Sequence, residues 1–193
     1  MLEIVSLYWI KIFATFVVFV VLIIFFIRSG SEQSSTSGTI LIRSELDRLD
    51  ENYKVFSNVM VHTERGISHI PYVVVCPYGI FVITCCHHVG KISGHENDPE
   101  WNIKIRGVKE TMLNPLWENR KHINALEKKL GLELPFIPLV IFTYSKLIND
   151  FGPAAIRVRR LNDFFSGYGK TLISQTDQNS VMNTLKEYRE GNV

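Results

Sequence analysis

The chain has no aspartate or glutamate between Glu64 and Glu96. That interval contains its two most β-branched runs, so a hard divalent cation could find no carboxylate ligand on them. Cysteine is scarce: the 193 residues hold three, Cys76, Cys85 and Cys86, two of them adjacent. An odd, clustered set is no disulfide framework and points to a reducing compartment. Charge of one sign is also lacking, since 21 Lys and Arg against 19 Asp and Glu leave a net charge of +2. That balance is too mild to mark a nucleic-acid binder by composition alone. No internal repeat or long charge run interrupts the chain.

Residues 4–27 are apolar apart from Ser6, Lys11 and Thr15, and residues 12–27 carry no charge. About 20 apolar residues span a bilayer core. With Lys11 reaching the interface beside Tyr8 and Trp9, the segment is expected to form one transmembrane helix, with the lipid bilayer as its partner. A cleaved leader would start with a basic segment and end at a small-residue site; Glu3 comes first and no such site follows. Lys11 and Arg28 flank the run almost symmetrically, so orientation rests on the unpaired cysteines, which favour a single-pass cell-membrane protein with a cytoplasmic domain. Residues 28–37, rich in Ser and Gly, are expected to be a flexible tether.

The rest alternates strands and helices. Residues 39–49 have helical spacing at Ile42, Leu46 and Leu49. Strands are expected over 53–61, 70–76 and 80–86, the last two joined by a Pro-Tyr-Gly turn into a central hairpin. Shorter strands follow at 90–94 and 101–106. Asn114 caps a helix that starts at Pro115 and stops at Gly131, with Leu116, Ile123, Leu126 and Leu130 as its apolar stripe. Residues 138–144 form a further buried strand, and 177–189 a terminal helix. The fold class is α/β, a mixed sheet flanked by helices, preceded by the transmembrane helix.

The ordered words GIFVI (79–83), GKISG (90–94), Trp101, Asn114–Pro115 and His122–Ile123, with Gly38, Tyr53 and Asn58–Val59 upstream, resemble the NERD family, the nuclease-related domain. The resemblance covers about 38–145, leaving 146–193 as a C-terminal extension. It implies a restriction-endonuclease-like fold and a PD-(D/E)xK site, in which carboxylates seat Mg²⁺ and a lysine assists the attacking water. The family's helix acid falls on Thr39, its aspartate on Pro71 and its E-x-K pair on Thr84 and Cys86. None of those chemical roles survives. The resemblance therefore implies a membrane-anchored degenerate member without a cofactor. Such a protein would act by binding a protein or nucleic-acid partner, with DNA-related processes as the context.

Other residues offer alternatives. Glu118 and His122, one helical turn apart, could be a relocated acid–base pair in an active Mg²⁺-dependent nuclease; more simply they are a polar helix face. Cys85, Cys86, His87 and His88 suggest a soft metal, but strand alternation lets only Cys86 with His88, or Cys85 with His87, share an ion. Lys104, Arg106 and Lys109, with Arg157 and Arg159, are candidates for phosphate contact, the last two sharing a face if 156–161 is a strand. The plainer reading is a charged edge strand.

Overall fold

The computed structural model describes residues 15–20, 36–64 and 66–189. They fall into two units, residues 1–38 and 39–193. In the first, residues 15–20 are helical. Among the described residues no helix is long and apolar enough to cross a membrane. The expected transmembrane helix over 4–27 is thus corrected; the remainder of that segment, 4–14 and 21–27, lies outside the described residues. The bilayer partner and the single-pass localisation with a cytoplasmic domain rested on that helix and fall with it.

The second unit is built on two sheets. The larger contains β1 (Lys54–Thr63), β2 (Gly66–Cys76), β3 (Gly79–Cys86), β7 (Phe136–Phe142) and β9 (Ala155–Arg157), in the order β1-β2-β3-β7-β9. The β1–β2 and β2–β3 pairs are antiparallel; β3–β7 and β7–β9 are parallel. The smaller sheet is β6-β5-β4-β8, from β4 (Gly90–Ser93), β5 (Glu100–Ile105), β6 (Val108–Leu113) and β8 (Ser145–Leu147). The mixed sheet and the central β2–β3 hairpin are as the sequence leads one to expect. The hairpin strands are almost continuously apolar because both their faces are covered.

One face of the large sheet packs on α1 (residues 36–46) and α3 (Leu161–Ser166) through Ile42, Leu46, Tyr72, Val74, Phe81, Ile83 and Phe165. The other packs on α2 (Pro115–Leu130) and α4 (Gln175–Arg189) through Val73, Val75, Ile80, Val82, Leu126, Val181 and Leu185. The tail beyond residue 145 thus closes both faces. Asn114 caps α2 by accepting from the Leu116 N–H at 2.9 Å, and Gly131 ends it at φ 63°. Only glycine adopts that conformation freely.

Two strands exchange faces part-way along. Phe56 and Val59 share one core although strict alternation would part them, and so do Val73 and Ile70. The exchange falls where Ser57 pairs Tyr72 and Val59 pairs Ile70. Between these pairs sit Asn58, at φ 55°, and Pro71, which has no N–H to give a ladder. Beyond that point Ser68 and Ile70 turn towards α2.

Candidate functional site

The site lies where β3 ends. Thr84 and Cys86 follow Val82 by twos and face α2. Asn119, fully buried on α2, reaches into the sheet. Its Nδ2 donates to the Val82 carbonyl at 2.8 Å, Thr84 Oγ1 at 3.0 Å and the Leu139 carbonyl at 3.2 Å. It ties α2 to β3 and β7 at once. Its Oδ1 is buried without a hydrogen-bond partner among the described residues. Cys86 packs with Leu116, Trp101 and Phe142, and its Sγ lies 3.2 Å from His88 Nδ1. Burial pushes the Cys86 thiol up to about 11, opposed by a hydrogen bond from the His88 backbone and reinforced by the charge of Glu118.

One turn further along α2, His122 is 7% exposed. Its Nδ1 meets Ser68 Oγ at 2.9 Å, a contact made possible by the face exchange in β2. Its Nε2 is buried without a hydrogen-bond partner among the described residues, 3.7 Å from Glu118 Oε1, which is beyond hydrogen-bond length. The imidazole nevertheless holds the Glu118 carboxyl below its ordinary value against partial burial, with help from Lys121. Glu118 and His122 thus lie side by side on α2, and Ser68 Oγ stands at the ring's other nitrogen. Sequence spacing does not signal it, because Ser68 lies 54 residues away on another element.

On the opposite face, Thr39 Oγ1 lies 3.4 Å from His87 Nε2, and His87 Nδ1 lies 3.1 Å from Thr143 Oγ1. Tyr72 donates to the Thr39 carbonyl at 3.4 Å. Burial lowers the His87 pKa, His88 adding to the effect. Burial also pushes the Cys85 thiol up to about 12, with Cys86 contributing. The positions expected to line one family site are thus split: Thr84 and Cys86 face α2, Thr39 lies against α1's side of the sheet, and half-buried Pro71 marks the face exchange.

These groups do not suit magnesium. That ion asks for anionic oxygens in octahedral array. Thr84 Oγ1 is neutral and already engaged, and Cys86 offers a protonated soft atom. Among the described residues no three or more His, Cys, Asp or Glu side chains converge to hold a metal ion. This overturns the alternative of a metal-dependent nuclease run from Glu118 and His122: the pair meets, but no further ligand joins it. Cys86 and His88 likewise meet as a pair only.

Lys104 and Lys109 are direct cross-strand partners on β5 and β6, and Arg106 lies in the turn between them at φ 49°. Arg157 ends β9, and residues 158–160 form a 3-10 turn, so Arg157 and Arg159 do not line one strand face as expected.

The two glycines of GKISG have packing reasons. A side chain on Gly90, at φ 120°, would come within 2.7 Å of the Lys104 carbonyl, and one on Gly94 within 2.5 Å of the Trp101 ring. Such words mark a fold. The sequence profile of the nuclease-related domain matches residues 35–143. The chain belongs to that family. Over 108 residues it is 34% identical to an uncharacterized protein of Bacillus anthracis, covering 55% of this chain and 51% of that one. The chain thus spans about half the length of that relative. No solved structure matches it.

Proposed function

We propose that this nuclease-related domain keeps the scaffold of its family without the cutting residues, and works by binding. The observation that carries the reading is the chemistry at the end of β3. The E-x-K positions hold Thr84, locked by Asn119 at 3.0 Å, and Cys86, whose thiol burial keeps protonated. Cutting a phosphodiester requires charge stabilisation at the reacting atoms, usually the largest catalytic contribution. Neutral, engaged side chains cannot supply it.

The test is incubation of the full chain with supercoiled plasmid and linear single-stranded DNA in Mg²⁺ or Mn²⁺. No cleavage above the background of a mock preparation is expected. Cleavage that disappears in both Glu118→Gln and His122→Ala preparations overturns the proposal.

A further inference from the structure

The small sheet lines up four lysines. Lys109 pairs Lys104, Lys104 pairs Lys91, and Lys91 pairs Lys146, so one row crosses all four strands, β6-β5-β4-β8. Residues directly opposite share a sheet face, and this face is the outer one. The inward face carries Trp101, Ile103 and Ile92, all buried, whereas the four lysines are exposed. None of them makes an ion pair with a described residue. Like charges directly opposite destabilise a sheet, and here three such pairs adjoin. The next row on that face is Ser93, Asn102 and Thr111, which can all donate hydrogen bonds.

The geometry points to a track for the phosphate backbone of a nucleic-acid duplex on this face, away from the end of β3. At about 4.8 Å between strands the row spans about 14 Å, the axial rise of about four nucleotides of one strand. Lysine is a flexible point charge that suits phosphate. The flanking hydroxyls and amide are side chains that position phosphates without reading bases. The only aromatic of β4, β5 and β6, Trp101, points inward. A stacking platform for unpaired bases is therefore missing from those strands, which favours a duplex over a single strand. The inference deepens the binding role proposed above and names its ligand class; binding is nonetheless a separate matter from cutting.

The experiment is fluorescence anisotropy of a labelled random-sequence DNA duplex with the full chain in EDTA, across salt concentrations. Four phosphate contacts give a slope of log affinity against log salt of about −3.6, a loss of about a hundredfold between 50 and 200 mM. The double variant K91Q/K104Q is expected to bring the slope to about −1.8 and to weaken binding at 50 mM by tenfold or more. The charge-matched control K170Q/K186Q, changing exposed lysines elsewhere, is expected to keep the wild-type slope. Circular dichroism checks that each variant is folded. The inference is overturned if wild-type protein does not bind the duplex, if the control weakens binding as much as K91Q/K104Q, or if polyglutamate or single-stranded DNA binds more tightly. Cleavage on adding Mg²⁺, with the lysine dependence intact, would sink the non-cutting reading and leave the track standing.

Discussion

Removing the Asn119 amide should loosen the whole centre of the fold. In Asn119→Ala, two N–H donors shared among Val82 O, Thr84 Oγ1 and Leu139 O are lost. At about 1 kcal/mol net per hydrogen bond that is about 2 kcal/mol. The lost buried atoms add about 1 kcal/mol, and removing the unpartnered Oδ1 returns about the same. The net cost is about 2 kcal/mol, or about 4–8 °C in Tm for a domain of this size. Asn119→Asp is the sharper probe. It keeps the shape but replaces the donor with an oxygen facing two carbonyls, so the folded state favours the protonated acid. Its folded pKa is therefore raised. The variant should be closest to wild type below the unfolded value of about 3.9, and its deficit should grow as pH rises towards the folded value. Thermal unfolding followed by circular dichroism at pH 4 and pH 8 measures both. The reasoning fails if Asn119→Ala melts within about 1 °C of wild type, or if Asn119→Asp shows the same deficit at both pH values.

Burial raises all three thiols, Cys85 to about 12 and Cys86 to about 11. At pH 8 a thiol reagent should therefore label the native protein slowly, and label three cysteines quickly only in denaturant; one fast native equivalent contradicts this. Glu118, its pKa lowered by His122, contributes stability above the unfolded carboxylate value and loses it as pH falls through the folded one. Because its side chain is 61% exposed the amount is about 0.5 kcal/mol or less. Acid titration should show Glu118→Gln slightly less stable at pH 7, with the difference shrinking as pH falls below the ordinary carboxylate value of about 4.3 and through the lower folded one, and a constant offset would refute the assignment. Gly94→Ala drives a methyl into the Trp101 ring, at 2.5 Å from Cδ1, and should cost about 1–3 kcal/mol with a change in tryptophan fluorescence. An unshifted urea midpoint would show that the loop yields freely.

The central hairpin is legible because polar–apolar alternation is absent there: residues 73–76 and 80–83 are apolar on both faces, and only a covered strand tolerates that. The limits of α2 are legible from Asn114, Pro115 and Gly131, each with a local conformational reason. What cannot be read is anything set by pairing across the chain. Strand β6, with only Val108, Met112 and Leu113 apolar, has no pattern of its own and exists because β5 gives it a ladder. Ser68 belongs with His122 only because Asn58 and Pro71 exchange the strand faces, and strict alternation predicts the opposite side. The buried stripe of α2 includes Asn119 and His122, which a search for apolar spacing passes over. Lys91 and Lys146 do not stand out beside Lys104 and Lys109 in the sequence, because only register, which sequence does not print, makes them neighbours.

The motif words that place the chain in its family are explained by packing. Gly90 and Gly94 make room for β5, Asn114 caps α2 and binds the Glu96 and Asp98 carbonyls at 2.8 and 2.7 Å, and Trp101 fills the core beneath the lysine row. A profile built on such residues tracks the scaffold whether or not the chemistry accompanies it. On the proposed reading, the positions where the family's chemistry would sit are absorbed into the same scaffold: Thr84 is a rung between β3 and α2, and Cys86 is core. Placing charge there would have to displace Asn119 and open the cluster around Trp101, so a single substitution such as Thr84→Glu should destabilise the protein before it could create a site. On the proposed reading the packing role of Thr84 itself excludes a carboxylate there, because a buried neutral rung and a hydrated carboxylate cannot occupy the same place.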